Sequence, residues 1–309
     1  MLSLSHRSTL SVLRSVAAQH HKVKHTDMLP CVGTPERAGL AHAVAHLFGT
    51  QKLTLADTAI TLDEWAGAIA ERADIEYLNL FDTSPNAFCN RLQRPYRHAG
   101  TALAQEAQSL KAFLGLSGSS ERTLISWLSL QTVSGFMLGV LLPQAGGWQT
   151  RSLFESASAL WELNAGDVVA TDSQRWHQLA QRLPSLPADI TAIATSPLDA
   201  ATWQALKEKG VAHIVELYSE PALGVIAARR SQTEAFELLA HWHPTESDDY
   251  LLCLAKGSEP REVRLEEPVA WTGARNFKAI ESEPLTHQAL SRWVSCSAIP
   301  RPLQDATAA

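Results

Sequence analysis

The stretch Glu216-Leu-Tyr-Ser-Glu-Pro-Ala-Leu-Gly-Val-Ile-Ala-Ala-Arg-Arg230 closes a series of short apolar runs whose alternation sets the fold. Its first residues finish a strand-like run at 213–218. Upstream, residues 200–209 have helical spacing and stop at Gly210, 190–194 read as a strand, 176–183 as a helix and 167–171 as a strand. Strand and helix alternate at short intervals, which predicts an α/β fold built on a mostly parallel, helix-covered sheet. Inside the stretch, Pro221 has no side-chain donor or acceptor and Ala222 cannot hold a cation.

Toward the N-terminus the same logic predicts helices at 34–48 and 53–72. Thr34 stands at the N-cap of the first, Pro35 at its first position and Gly49 past its end; in the second, Thr61 and Glu64 form a capping box. Residues 77–81 read as a short strand feeding a Pro-, Asn- and Arg-rich loop at 82–97, where a phosphate cradle would sit, and 100–116 as a helix through Leu103, Ala107, Leu110 and Leu114. Residues 123–128 are strand-like, and 135–142 read as a buried apolar helix or its start. Beyond Ala235 short runs at 238–239, 250–254 and 263–265, separated by Pro, Gly and acids, predict a small antiparallel β appendix. The expected organisation is an N-terminal extension (1–33), an α/β core (34–234), a β-rich appendix (235–280) and a short tail (281–309).

Composition narrows the function classes. The 309 residues are 45% hydrophobic and 19% charged, enough for a large core, and the net charge of -6 with scattered Lys and Arg leaves no basic stripe for nucleic acid. Cys31, Cys89, Cys253 and Cys296 form no CxxC pair, so neither a zinc site nor a disulfide framework is expected, and a reducing cytoplasm fits best. No apolar run reaches spanning length, so the chain is not expected to cross a membrane. Residues 1–25 have no acid and carry Arg7, Arg14, Lys22 and Lys24. With no continuous apolar region, they read as a frayed or docked helix rather than a targeting segment.

The opening stretch resembles the Tyr-Gly-Ser-Thr-Glu-Thr-Gly-Gly-Ile-Ala segment of adenylate-forming enzymes, the acyl- and aryl-CoA ligases. Tyr218, Gly224, Ile226 and Ala227 match. Further segments resemble that family in order: 101–107 the helix after its phosphate loop, 135–143 its Gly-Phe-Leu segment ending in Pro, 165–170 its Gly-Asp strand, 194–199 the loop lining its acyl and nucleotide pocket, and 236–242 and 269–271 later landmarks. The resemblance covers most of 36–280 and is nearest to 4-hydroxycinnamoyl- and 4-hydroxybenzoate-CoA ligases. It implies the layered sheets and helices of that family's N-terminal domain.

The departures are as informative. In the family the Tyr covers adenine, the following Thr binds phosphate and the Glu holds magnesium; the last two fall on Pro221 and Ala222. The family's glycine-rich phosphate loop falls on Thr83, Ser84, Pro85, Asn86, Ala87 and Phe88, which lack the glycines that let backbone N–H groups close on phosphate. Positions framing an aryl acid fall on Gln131, Thr132 and Ser134, beside Gly135. The ribose-binding Asp falls on Glu267. The hinge motif falls on residues 281–284, and the mobile C-terminal domain with its catalytic lysine is expected to be absent.

Adenylation brings two anions together, and magnesium, lysine and backbone donors overcome their repulsion; one missing donor can cost about 2.7 to 4 kcal/mol. The resemblance thus implies a vestigial nucleotide or acyl pocket around Thr83, Ser84, Gln131, Gly135, Ser196, Tyr218, Gly224 and Glu267, without catalytic or metal-binding residues. No cofactor is expected beyond weak AMP or adenosine binding. An aryl or acyl ligand, an acyl carrier protein or other biosynthetic partner in aromatic or polyene acyl metabolism, and a homodimer are the partners it suggests. The alternatives are a divergent ligase completed by a separate subunit and a purely structural subunit with a collapsed pocket. His241, His243, Asp248 and Asp249 fit no strong metal template. His42 and His46 lie one helical turn apart and read as an ordinary helix face, Ser84, Ser196 and Ser219 lack a nucleophile elbow, and Trp127, Trp161, Trp176 and Trp271 read as core or pocket walls.

Overall fold

The computed structural model describes residues 2–21, 27–49, 58–72, 75–82, 95–116, 122–183, 185–255 and 259–280. Three helices come first: α1 (His6–His21), α2 (Pro35–Leu47) and α3 (Leu62–Arg72). The Thr34 side chain accepts the Arg37 N–H, with Pro35 at the first helical position, and Gly49 follows with φ +61°. Thr61 accepts the Glu64 N–H, while the Glu64 carboxylate reaches the Ile60 N–H at 2.7 Å, so the capping box closes one residue earlier than its usual form. α1 is docked: Val12, Leu13 and Val16 are buried, and the helix packs on α2 and α3.

The strands β1 (Tyr77–Leu80) and β2 (Tyr96–Ala99) pair antiparallel as a separate ribbon leading into α4 (Gly100–Leu114), which stops at Gly115 in a left-handed conformation. After β3 (Thr123–Ser126) the chain makes α5 (Val133–Phe136), a π-helical segment at Met137–Leu141 and α6 (Leu142–Gly146). The wide turns end just before Pro143, which has no N–H to continue the ladder.

Then follow β4 (Gln149–Ser152), β5 (Val168–Thr171), α7 (Ser173–Arg182), β6 (Thr191–Ala194), α8 (Ala200–Glu208), β7 (His213–Glu220) and β8 (Gly224–Arg229). Asp172 and Asp199 cap α7 and α8 by accepting the Arg175 and Thr202 N–H groups, each such cap contributing about 1 kcal/mol. The remaining strands are β9 (Phe236–Leu238), β10 (Trp242–Pro244), β11 (Tyr250–Cys253), β12 (Arg261–Arg264), β13 (Val269–Trp271) and β14 (Asn276–Ala279).

Nine strands form one sheet in the order β13-β14-β9-β8-β7-β6-β5-β3-β4. From β4 to β7 the pairing is parallel, and from β7 to β13 it is antiparallel. The sheet is thus mixed rather than mostly parallel, because the turn after Tyr218 sends β8 straight back along β7 where no helix intervenes. The β-rich segment divides: β9, β13 and β14 extend the main sheet, and only β10, β11 and β12 form a small antiparallel sheet of their own. Side chains alternate across the parallel half. Leu124, Val168, Ile193 and Val215 join the large core shared with the N-terminal helices and α4, while Ile125, Val169, Ala192 and Ile214 pack under Trp176 of α7 and Trp203 of α8. Trp176 is fully buried and donates to the Ile193 carbonyl at 2.9 Å. Trp161, expected inside, stands 69% exposed, because the short 3-10 turn that carries it lies on the surface.

Candidate functional site

The turn between β7 and β8 is the centre of the candidate site. Tyr218 is inserted beside two phenylalanines, edge-on to Phe277 at 5.0 Å between ring centroids and tilted against Phe236 at 5.7 Å. Only 9% of its surface is exposed. Its hydroxyl lies 3.5 Å from Glu220 Oε1. Burial, followed by the negative charge of Glu220 and Glu267, pushes the phenol well above its ordinary range. The Glu220 carboxyl is buried and accepts the Glu266 N–H on both oxygens at 3.1 Å; burial first, then the charge of Glu266 and Glu267, raises it. Glu267 itself is exposed. Tyr218, Gly224 and Glu267 are thus gathered at one turn.

Two residues that sequence reasoning missed hold that turn from below. His98 sits 3.0 Å from the Pro221 carbonyl through Nε2; a carbonyl only accepts, so this nitrogen carries the hydrogen. Burial holds His98 down to about 4, hence neutral. Glu106, 2% exposed, accepts the Val225 N–H at 2.8 Å. Gly224 has φ +89°, and a Cβ there would lie 2.3 Å from Glu106 Oε2, so only glycine lets the backbone close over the carboxyl. The sequence does carry a signal for Glu106: three residues after Leu103 and four before Leu110, it falls on the apolar face of α4.

Ser196 and Gly135, also expected in the pocket, are satisfied locally. Ser196, past the end of β6, donates to Ser173 Oγ at 2.9 Å and accepts the Ser173 N–H at 3.0 Å. Gly135 donates its N–H to Thr132 Oγ1, and a Cβ there would lie 1.9 Å from the Ser129 carbonyl oxygen. Gln131 hydrogen-bonds through its backbone to Phe81 and Ser129, while among the described residues its buried Nε2 has no hydrogen-bond partner. Among the described residues no hydrogen bond joins Gln131, Gly135 or Ser196 to Tyr218. Thr83, Ser84 and the tail at 281–309 lie outside the described residues.

The histidine pairs separate as well. His241 turns inward to Ser109 Oγ at 3.0 Å and burial lowers it to about 4, while His243 faces Arg275. His42 and His46 stand 6.4 Å apart on α2. Among the described residues no group of three or more His, Cys, Asp or Glu is arranged to hold a metal ion, and no helix is long and apolar enough to cross a membrane.

No protein-family model matches the chain. It is 28% identical over 212 residues to a 4-coumarate–CoA ligase of Halorhodospira halophila, covering 67% of this chain and 52% of that protein. The chain therefore spans about half the length of the curated relative it matches. The solved structure of an acyl-CoA synthetase (AMP-forming)/AMP-acid ligase II-like protein from Dyadobacter fermentans superposes with a TM-score of 0.53 at 14% identity, covering 71% of this chain and 63% of that one. The N-terminal subdomain of Klebsiella oxytoca NpsA, solved with 3-hydroxyanthranilyl-AMSN, superposes with a TM-score of 0.53 at 8% identity over 89% of this chain and 91% of that one. The fold is that of the N-terminal part of AMP-forming enzymes, and the chain is a relative of acyl- and aryl-CoA ligases.

Proposed function

We propose that this chain is a non-catalytic relative of an aryl- or acyl-CoA ligase that acts as a binding or partner protein. The observation that carries the reading is the β7–β8 turn. Where the resemblance puts phosphate and magnesium ligands, the chain has Pro221 and Ala222, and the Pro221 carbonyl is occupied by His98. Tyr218, the residue that would cover adenine, is packed edge-on against Phe277 and tilted against Phe236 instead of standing free. The chemistry left at the turn is acidic, with Glu220, Glu266 and Glu267 together, which repels a triphosphate. A small aryl or acyl group, alone or on an acyl carrier protein, is the ligand this reading favours, with AMP or adenosine bound weakly if at all.

Isothermal titration with ATP and magnesium, AMP and hydroxycinnamate tests it, together with pyrophosphate exchange. Silence with magnesium-ATP and no exchange are expected; micromolar magnesium-ATP binding with exchange would refute the reading. A second reading, a divergent ligase completed by a separate subunit, draws on Tyr218 and Glu267 remaining at one turn, where a nucleoside contact would survive. Exchange activity that appears only when a second subunit is added would favour it.

A further inference from the structure

Two side chains from one unit of the fold grip the β7–β8 turn at its two ends. His98 comes from β2 and holds Pro221; Glu106 comes from the α4 helix that β2 leads into and holds Val225. Both are buried, at 6% and 2% exposure. Between the grips the backbone at Gly224 lies directly on the Glu106 carboxyl, with no room for a Cβ. Val225 is fixed from its other side too, because the Trp242 indole N–H donates to its carbonyl at 3.2 Å. One backbone donor reaches Glu106 among the described residues, too little to compensate an ionised carboxylate in an apolar setting. Burial accordingly pushes Glu106 up to about 8.

The charges around the grip come from several elements. Cys253 of β11 faces Glu106, its thiol raised first by burial, with Arg261 of β12 opposing and Glu106 adding. Arg261 also acts on His98. One turn along α4, Ser109 bonds neutral His241, which feels His243 and Arg275. At the front of the turn stand Tyr218, Glu220, Glu266 and Glu267.

We propose that α4 is a proton-dependent latch on the β7–β8 turn: protonated Glu106 sits under Gly224 and holds Val225, and its ionisation releases residues 220–225 while the rest of the sheet stays folded. This inference rests on the packing around Glu106 and on its buried carboxyl, and does not depend on the proposed function. Its pH window follows from linkage. Opened, Glu106 meets water and titrates near its ordinary 4.5; closed, it keeps its proton up to about 8. Opening is therefore favoured about tenfold per pH unit between those limits and levels off above them. The neutral range lies inside the window. His98 acts in the opposite sense, because it resists protonation when closed, so its grip is loosened by acid below 6.5.

Amide hydrogen exchange by NMR on the full chain tests the latch, with Val225 as the probe and Ala192 of β6 as the reference. After correction for intrinsic exchange, Val225 should open more readily than Ala192 at every pH, and its opening should rise about tenfold per unit from about pH 6.5 to 7.5. Glu106→Gln should remove that slope at Val225. The latch is overturned if Val225 protection is independent of pH. It is equally overturned if Val225 and Ala192 share one protection and one slope, which is global unfolding, or if Glu106→Gln keeps the slope. The comparison of the two amides in the unmodified chain decides the matter even if the variant does not fold.

Discussion

Arg229→Met should be the most destabilising single change near the site, because of what it leaves behind. Glu216 in β7 is fully buried; its carboxylate accepts the Leu198 N–H at 2.7 Å and pairs with the Arg229 guanidinium from β8. That guanidinium also lies 4.5 Å over the Phe236 ring and reaches the Gln232 carbonyl, while Gln232 returns a hydrogen bond to the Leu198 carbonyl. The pair thus ties together β7, β8 and the loop that follows Ser196. Methionine fills much of the stem volume but strands the carboxylate, and breaking a buried pair from one side costs about 3 to 5 kcal/mol. Glu216→Gln keeps an oxygen for the Leu198 N–H and should cost about 1 to 3 kcal/mol. The double variant should cost less than the sum, with a coupling of about 1 to 3 kcal/mol, because neither partner is then left unpaired. Urea unfolding followed by circular dichroism, with the denaturant slope held common, measures all three. A cost below about 1 kcal/mol for Arg229→Met, or strict additivity in the double variant, would show that the pair does not hold this part of the fold.

Stability should also depend on pH with a maximum near 6.5. Glu106 titrates near 8 folded against 4.5 unfolded, so the unfolded chain holds fewer protons between those values and stability falls with rising pH, by about 1.4 kcal/mol per unit. Glu220, also raised, acts in the same sense. His98 and His241, lowered to about 4 from 6.5, act oppositely: below 6.5 the unfolded chain takes up protons that the folded one refuses, so stability falls as pH drops. Urea midpoints from pH 4.5 to 8.5 check the shape, and a maximum above pH 8 would contradict the buried, neutral Glu106. Gly135→Ala should cost at least about 1 to 3 kcal/mol, since its Cβ would sit 1.9 Å from the Ser129 carbonyl oxygen; an unchanged urea midpoint would refute the tight turn there.

The helices with full punctuation were legible because their signals are local. Thr34, Pro35 and Gly49 bound α2 in the sequence and do so in the fold. The runs at 168–171 and 191–194 are buried on both faces, so continuous apolar character marked them as strands. β4 was not legible: its residues are polar, and what makes them a strand is the parallel ladder to β3 at the sheet edge. The direction of β8 was lost for a related reason, since an apolar run after Pro-Ala-Leu-Gly does not say which strand it will pair with. Trp161 misled because large apolar side chains are only usually inside.

The site shows a deeper limit on reading function from matched letters. Gly224 is among the residues that tie this chain to adenylate-forming enzymes, and by resemblance alone its retention argues for a retained pocket. In the structure its missing side chain makes room for something else, the Glu106 carboxyl, and the conformation that requires glycine is fixed by Val225 on one side and the Pro221 carbonyl held by His98 on the other. A glycine records only that the backbone must pass where a Cβ cannot. What fills that space is decided by residues more than a hundred positions away, and a buried acid on an apolar helix face is the one mark of it that the sequence displays.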